Sequence, residues 1–251
     1  MLSGLRRLFA TSDLFAFNLL NRDEWIAEQA ASLPAGSKVL DVGAGSAPYR
    51  RLFKHCQYKT QDFSQLRDDQ LRYGGYAPID FVSDARSIPV LDGSFDVVVC
   101  TEVLEHVPEP IAVVCEFGRI IVPGGRLILT APLGSGIHQE PYHFYGGYTP
   151  FWYQRFLSEA GFETVVVTPN DGTFRHIAQE TIRFVRMSMP FRFGSPWYVS
   201  LVWLPFWLLF APVLAIGVPL AAKFLNRFDK ESRFTVGYHV TAVRKGNGNL
   251  T

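Results

Sequence analysis

Residues 38–50 read KVLDVGAGSAPYR, a short apolar run that leads straight into a glycine turn. Gly43 and Gly45 fall where the strand is expected to turn into a helix. Such a turn needs unusual dihedrals and a close backbone approach to a ligand, and both favour glycine. A Gly-x-Gly pair alone can be no more than a tight turn. The dinucleotide fingerprint wants a third glycine where Pro48 stands, which argues against a nicotinamide or flavin dinucleotide. Pro48 itself suits the first turn of a helix. Asp62 closes the next strand, at the place where an acid binds ribose hydroxyls.

Downstream, strand and helix signals alternate. KVLDV, YKTQD, IDFVSDA, SFDVVVC, GRLILTA and GFETVVVTP read as six strands, and RFTVGYHVTAVRK near the end as a seventh. The helical stretch before GRLILTA is expected to stop at Pro123 and Gly124, and YTPFWYQRFLSEA reads as a helix. This order implies βαβ units, a parallel sheet and a doubly wound α/β fold. PVLDGSFD reads as a surface turn, and Asp96 as a residue of the strand start rather than a ligand. There is no internal repeat or low-complexity tract.

Four stretches in this order resemble the class I S-adenosylmethionine-dependent methyltransferases of the type-11 domain group: VLDVGAGSAPY, QDFS, SDARSIPVLDGSFDVVVCTEVLEHV and RIIVPGGRLILTAP. They cover roughly residues 38–132, and TPFWYQRFLSEAGFETV fits the region that follows. One departure is Ala47, where many members carry a glycine. The resemblance implies a seven-stranded Rossmann-like sheet and S-adenosyl-L-methionine as cofactor. Asp41 and the turn Gly43, Ala44, Gly45 would line the methionine end of that cofactor. Asp62 would hold the ribose hydroxyls, with Phe63 against the adenine. Asp84 and the backbone of Ala85 would meet the adenine amino group, and Glu102 would border the sulfonium. Glu105 and His106 read either as ligand contacts or as residues that shape the loop and cap the next helix.

Methyl transfer from a sulfonium is an in-line displacement, and a base is needed only if the acceptor loses a proton as it attacks. HQEPYHFYGGYT, just after the fifth strand, gathers His138, Glu140, Tyr142, His143 and Tyr145 where an acceptor should sit. His143 is the first choice of base and His138 the second, because imidazole titrates near neutral pH. The plainer alternative is a loop whose aromatic rings only cover the cofactor. His138, Glu140 and His143 could ligate a metal, but their spacing matches no strong template, so no metal is expected.

Between Phe193 and Ala222 there is no charged residue, a run long enough to cross a bilayer core. Pro196, Pro205, Pro212 and Pro219 punctuate it, so an unbroken helix is not expected. Arg183, Arg186 and Arg192 precede the run, and Lys223, Arg227, Lys230 and Arg233 follow it. Basic residues on both flanks place both ends on the cytoplasmic side. A last strand belonging to the same sheet requires the same. The sequence therefore predicts a proline-broken helical hairpin dipping into one leaflet, within an insertion over residues 173–232. A buried or oligomer-forming insert and a true span are the alternatives.

The 251 residues fit a single methyltransferase domain with a helical lead-in over residues 1–34. The two arginines near the N-terminus open either a surface-lying basic helix or a first helix over the core, and no signal peptide is expected. A net charge of +1 argues against a nucleic-acid binder. Cys56, Cys100 and Cys115 have no CxxC spacing and read as buried thiols in a reducing compartment. The expected activity is methylation of an oxygen on a lipid-linked or glycan-linked acceptor at the cytoplasmic face of a bacterial inner membrane. A quinone-like or soluble small-molecule acceptor is the alternative within the enzyme class. A non-catalytic, cofactor-binding membrane scaffold is the alternative outside it.

Overall fold

The computed structural model describes residues 12–192 and 195–246. Residues 1–11, with the two N-terminal arginines, lie outside the described residues. The chain divides into two compact units. One is built around the sheet, from Arg22–Thr168 and the chain from Gly237 onward; the other is helical, from the residues up to Asn21 and Pro169–Val236.

In chain order the elements leading to the site are α1 (Asp13–Ala31), β1 (Lys38–Val42), β2 (Gln57–Asp62), β3 (Phe81–Val82) and β4 (Phe95–Thr101). Then come α2 (Pro110–Ile120), β5 (Ile121–Pro132), α3 (Pro150–Glu159), β6 (Phe162–Pro169) and, last in the sheet, β7 (Gly237–Arg244). The seven strands lie in the order β3-β2-β1-β4-β5-β7-β6. β1 pairs in parallel with β2 on one side and β4 on the other, so the strand order reverses between β1 and β4. Open α/β sheets bind ligands outside the carboxyl ends of the strands at such a switch point. β7 runs antiparallel to β5, from Arg126↔Val243 to Pro132↔Gly237, which makes the sheet mixed rather than wholly parallel. The chain enters β7 from a long insertion and not through a crossover helix, so no βαβ handedness constrains its direction.

Alternation along the strands covers both faces. Leu40, Val42, Val98, Cys100, Leu127 and Leu129 pack into one cluster with Val113, Val114 and Phe117 of α2 and Tyr153 and Leu157 of α3. Val39, Val97, Val99 and Ile128 point the other way, onto Ile26 and Ala30 of α1 and onto Tyr49 and Phe53. Two buried faces explain why the central strands read as almost unbroken apolar runs.

Three local expectations are corrected. Past β1 the chain makes successive turns and no helix, closed by bonds such as Arg50 N–H to Ala47 O (3.2 Å) and Leu52 N–H to Tyr49 O (2.8 Å). α2 ends at Ile120, and Pro123 and Gly124 lie inside β5. Proline drives the residue before it into extended backbone, which carries the strand upstream through the glycines. Gly125 is needed there, since a Cβ would stand 2.7 Å from the Asp96 carbonyl oxygen. Of the thiols only Cys100 is buried; Cys56 is half-buried and Cys115 exposed.

The helical unit contains α4 (Thr173–Met187), α5 (Trp197–Pro212), a π-helical turn (Val213–Gly217) and α6 (Val218–Leu225). From Trp197 to Phe228 these form one helical run of 32 residues, whose most apolar stretch has a mean hydropathy of 2.2 and is only 6% buried. The prolines therefore do not break the apolar run. The wider π turn directly after Pro212, with the Val218 amide bonded to the Val213 carbonyl, and the placement of Pro219 in the first turn of α6 absorb the lost amides. A hairpin is present, but it is formed by α4 with the long helix and not within the apolar run. α4 runs antiparallel to the long helix, with Trp203 Nε1 donating to Ser188 O (2.7 Å), Trp207 Nε1 to Val185 O (3.2 Å) and Thr181 Oγ1 to Leu214 O (2.9 Å). Near its open end the Arg175 side chain, 4% exposed, pairs with Asp13 (2.8 Å) and Asp171 (3.1 Å).

Candidate active site

At the carboxyl end of β1 the chain bends through three left-handed residues, Gly43 (φ +68°), Gly45 (φ +52°) and Ala47 (φ +48°). A Cβ on Gly43 would come 2.3 Å from a methyl of Val103, so glycine is required there by space as well as by backbone. The turn is pinned from the neighbouring strand. Gly45 N–H donates to Asp62 Oδ2 (2.9 Å), Ser64 N–H to Asp62 Oδ1 (2.8 Å) and Ala44 N–H to Gln61 O (3.0 Å).

Asp41 and Asp62 are both almost completely buried. Burial pushes the Asp41 carboxyl up to about 7, against the opposing hydrogen bond from the Tyr58 hydroxyl and with a further upward push from Asp62. Burial also raises Asp62, opposed by the amides of Ser64 and Gly45. Past β4, Glu102 takes a left-handed conformation (φ +53°), accepts from Thr130 Oγ1 (2.9 Å) and pairs with Arg22 (3.2 Å). Glu105 is fully buried, and neither carboxylate oxygen has a hydrogen-bond partner. Burial first, then the Glu102 charge, raises its pKa well above the ordinary glutamate value.

The loop after β5 closes over this end of the sheet. Phe144 and Tyr145 amides donate to Glu105 O (2.9 and 3.2 Å), and Tyr145 Oη donates to Pro108 O (2.9 Å). Tyr142 stacks edge-on against Phe63 (4.9 Å between centroids) and donates to Gln65 Oε1 (2.9 Å). Gln139 Nε2 donates to Gln70 O, and Gln70 Nε2 to Glu140 O, both at 3.0 Å. His106, His138 and His143 converge, with centroids 4.7 Å apart for His106–His138 and His138–His143 and 5.6 Å for His106–His143. Burial lowers the His106 pKa to about 4, and burial followed by the His138 charge lowers that of His143.

Asp41, Gly43, Ala44, Gly45, Asp62 and Glu102 thus gather at the strand ends around the switch point, with Phe63 beside them under Tyr142. Asp84 differs. Its carboxylate is exposed and committed to Arg86 (2.8 Å), which lowers its pKa and is itself held by Glu109 (2.9 Å). Ala85, beside it, is buried in the core. Asp96 accepts from the Lys38 amide (2.8 Å) and has a structural role. Arg22 and Tyr58 are the members that sequence reading did not place in the site, and it left His106 open between a ligand contact and a loop-shaping residue. Tyr58 stands in the quoted strand, but its aim at Asp41 depends on strand register (Asp41↔Thr60). The donor set fits a ligand that brings positive charge and hydroxyls: buried carboxylates of raised pKa lack a counter-cation, and Ser46 Oγ is buried with no partner.

The chain matches the model of the family described as "Methyltransferase domain" over residues 14–180, and it belongs to that family. The class is that of the class I S-adenosylmethionine-dependent methyltransferases. A ubiquinone biosynthesis O-methyltransferase of Pseudomonas aeruginosa is 31% identical over 116 residues, which are 43% of this chain and 49% of that protein. A demethylmenaquinone methyltransferase of Bacillus velezensis is 28% identical over 141 residues, 51% of this chain and 60% of that one. The chain thus spans about half the length of the curated relatives it matches. A Galdieria sulphuraria protein, crystallised under the name of a sarcosine dimethylglycine methyltransferase, shares the fold with a TM-score of 0.54 at 18% identity, over 90% of this chain and 86% of that one.

The strained turn yields a stability test. Gly43→Ala combines a left-handed backbone with the clash on Val103, so the denaturant midpoint should fall by an equivalent of at least about 2 kcal/mol. An unchanged midpoint would show that the turn can relax.

Proposed function

We propose that this protein uses S-adenosylmethionine to methylate an oxygen of a hydroxylated, quinone-like ring carried on an apolar chain and presented at the cytoplasmic face of a bacterial membrane. The observation that carries the reading is the meeting of an acid-lined glycine turn with a histidine-bearing loop at the switch point of a methyltransferase sheet. The names of the matched relatives favour a quinone-type ring over the lipid-linked or glycan-linked acceptor expected from sequence.

When bound, the cofactor supplies an activated methyl group. Asp41 and the Gly43–Gly45 turn would hold its amino-acid end, Asp62 its ribose hydroxyls and Phe63 its adenine, and Glu102 would border the sulfonium. The backbone of Ala85 would meet the adenine amino group, while the Asp84 carboxylate is committed to Arg86. His143, with His138 as second choice, would take the proton of the acceptor hydroxyl, so that the oxygen could accept the methyl group that the bound cofactor would supply. A lowered imidazole pKa keeps His143 neutral and ready to accept that proton at pH 7.

The insertion over residues 173–232 serves as the membrane contact. β6 and β7 are neighbours in one sheet, so the chain must leave and return on one side of the bilayer. α4 carries Arg175, Glu180, Arg183 and Arg186 and is unsuited to a second crossing. The long helix therefore lies in one leaflet, with Trp197, Val202, Leu208 and Leu209 exposed for lipid.

Three measurements test this reading. S-adenosylhomocysteine affinity, followed by calorimetry, should weaken by up to about tenfold per pH unit below about 7, with proton release on binding, because the ammonium group of the ligand must find Asp41 ionised. Asp41→Asn should remove this slope, and Asp62→Ala should weaken binding about 10- to 100-fold at any pH. A flat profile in the unmodified protein would count against the cofactor site.

With methyl-labelled S-adenosylmethionine and separated lipid and soluble extracts, label should enter the lipid fraction. Turnover should fall as pH drops through the His143 pKa, and His143→Ala should cost at least about 100-fold. Label confined to soluble sugars or metabolites would transfer the acceptor to that class. Cofactor binding without any labelled product would favour the scaffold.

Co-sedimentation with anionic phospholipid vesicles should drop at least about tenfold in the double variant Val202→Asp/Leu209→Asp, since both side chains are exposed and each buries apolar area on insertion. Undiminished sedimentation would move the anchor elsewhere in the chain.

A further inference from the structure

We propose that His106, His138 and His143 form a binding site for one divalent d-block cation, of the zinc or cobalt type, with its fourth position open toward the acceptor. The inference rests on reading the loop after β5 as the acceptor end of the site. One ligand atom from each ring lies within 4.8 Å of the other two. A tetrahedral ion with bonds of about 2.0–2.1 Å needs nitrogen separations of about 3.3 Å. Closing that gap takes a small rotation of the rings, and His138 is exposed.

Tautomer and anchoring suit the same task. His106 Nδ1 faces the Tyr142 carbonyl at 2.5 Å and His138 Nδ1 the Gly136 carbonyl at 2.9 Å. A carbonyl oxygen only accepts, so each Nδ1 carries the proton and each Nε2 keeps its lone pair. Such backbone carbonyls behind a ring are the usual outer support of a metal-bound histidine. The third ring contributes an independent sign, because His143 Nδ1 is buried with no hydrogen-bond partner. The frame is fixed by backbone bonds that do not involve the rings, including Phe144 N–H to Glu105 O (2.9 Å) and Ser135 N–H to Gly146 O (2.6 Å). Three imidazole nitrogens favour zinc, cobalt, nickel or copper over magnesium or calcium, which want oxygen. The loop spacing that matched no metal template fails for a structural reason: the third ligand is His106, from the turn after β4, and not Glu140, which is exposed and outside the group.

A lone pair that holds a metal ion cannot also receive a proton. Loading the site therefore takes His143 and His138 out of service as bases, and zinc is an inhibitor of the base-assisted reaction.

The direct test is titration of the purified full chain with Co2+ alone, followed by the visible ligand-field band of a four-coordinate ion and by its displacement with Zn2+. One equivalent should bind, and His106→Ala, His138→Ala and His143→Ala should each weaken binding at least about 100-fold, while Glu140→Gln leaves it unchanged. Far-UV circular dichroism and retained S-adenosylhomocysteine binding show that each variant is folded; the exposed His138 makes its variant the safest of the three. Absence of a saturable Co2+ band, or full affinity in folded His106→Ala, would overturn the site. The base assignment fails separately. Stoichiometric Co2+ binding with turnover indifferent to Zn2+ supports the metal site and removes His143 and His138 as bases. Zinc-resistant turnover that is lost in His143→Ala, together with no Co2+ band, does the opposite.

Discussion

The two oxygens of the Asp62 carboxylate accept from the amides of Gly45 and Ser64, which belong to different loops. Everything else in the site is arranged around this junction. It fixes the distance between the ends of β1 and β2 and holds the glycine turn in a left-handed path that only small residues follow. It also leaves a buried carboxylate at the rim of the switch point. Charge-assisted bonds of this kind are about twice as strong as neutral ones and tolerate little displacement. The turn is therefore rigid before any ligand arrives, which reduces the ordering that binding must otherwise impose.

A second constraint is electrostatic. Asp41, Asp62, Glu102 and Glu105 crowd one end of the sheet, and among the described residues only Glu102 pairs with an arginine, Arg22. Burial raises the pKa of Asp41, Asp62 and Glu105 because water has been removed without a counter-charge taking its place. A site left in this condition favours a cation. On the far side of the crevice, the neutral imidazoles of His106 and His143 set up the opposite chemistry, lone pairs without charge. The acid-lined turn and the histidine loop thus differ in the charge they favour, and the loop after β5 is clamped to the Glu105 carbonyl.

The helical unit follows a different physics. Its long helix keeps large apolar side chains exposed along most of its length, so burial within the chain does not account for it. Its prolines are accommodated by local geometry, a π turn after Pro212 and a first-turn position for Pro219, and a wider turn of this kind costs less than breaking the helix.

Much of the sheet was legible in the sequence. The central strands bury both faces and so read as apolar runs, and the left-handed turn after β1 demands glycine whatever surrounds it. These are local requirements, each met within a few residues, and the resemblance to a known family added the placement of the acids. What the sequence could not supply depends on strand order and on loops meeting in space. The antiparallel direction of β7, the Tyr58 hydroxyl on Asp41 and the turning of Asp84 onto Arg86 are of this kind. So is the meeting of His106 with His138 and His143, more than thirty residues apart along the chain. The proline-rich run shows the same division. Its composition fixed that it would be apolar and uncharged, but whether its prolines broke it rested on turn geometry that develops only when α4 packs alongside. Sequence by itself settled where the central strands run and where the glycine turn was obligatory, because those follow from backbone sterics and burial. Tertiary structure alone decided which polar groups face one another, because hydrogen bonds and ion pairs form between segments that only the folded sheet brings within about 3 Å.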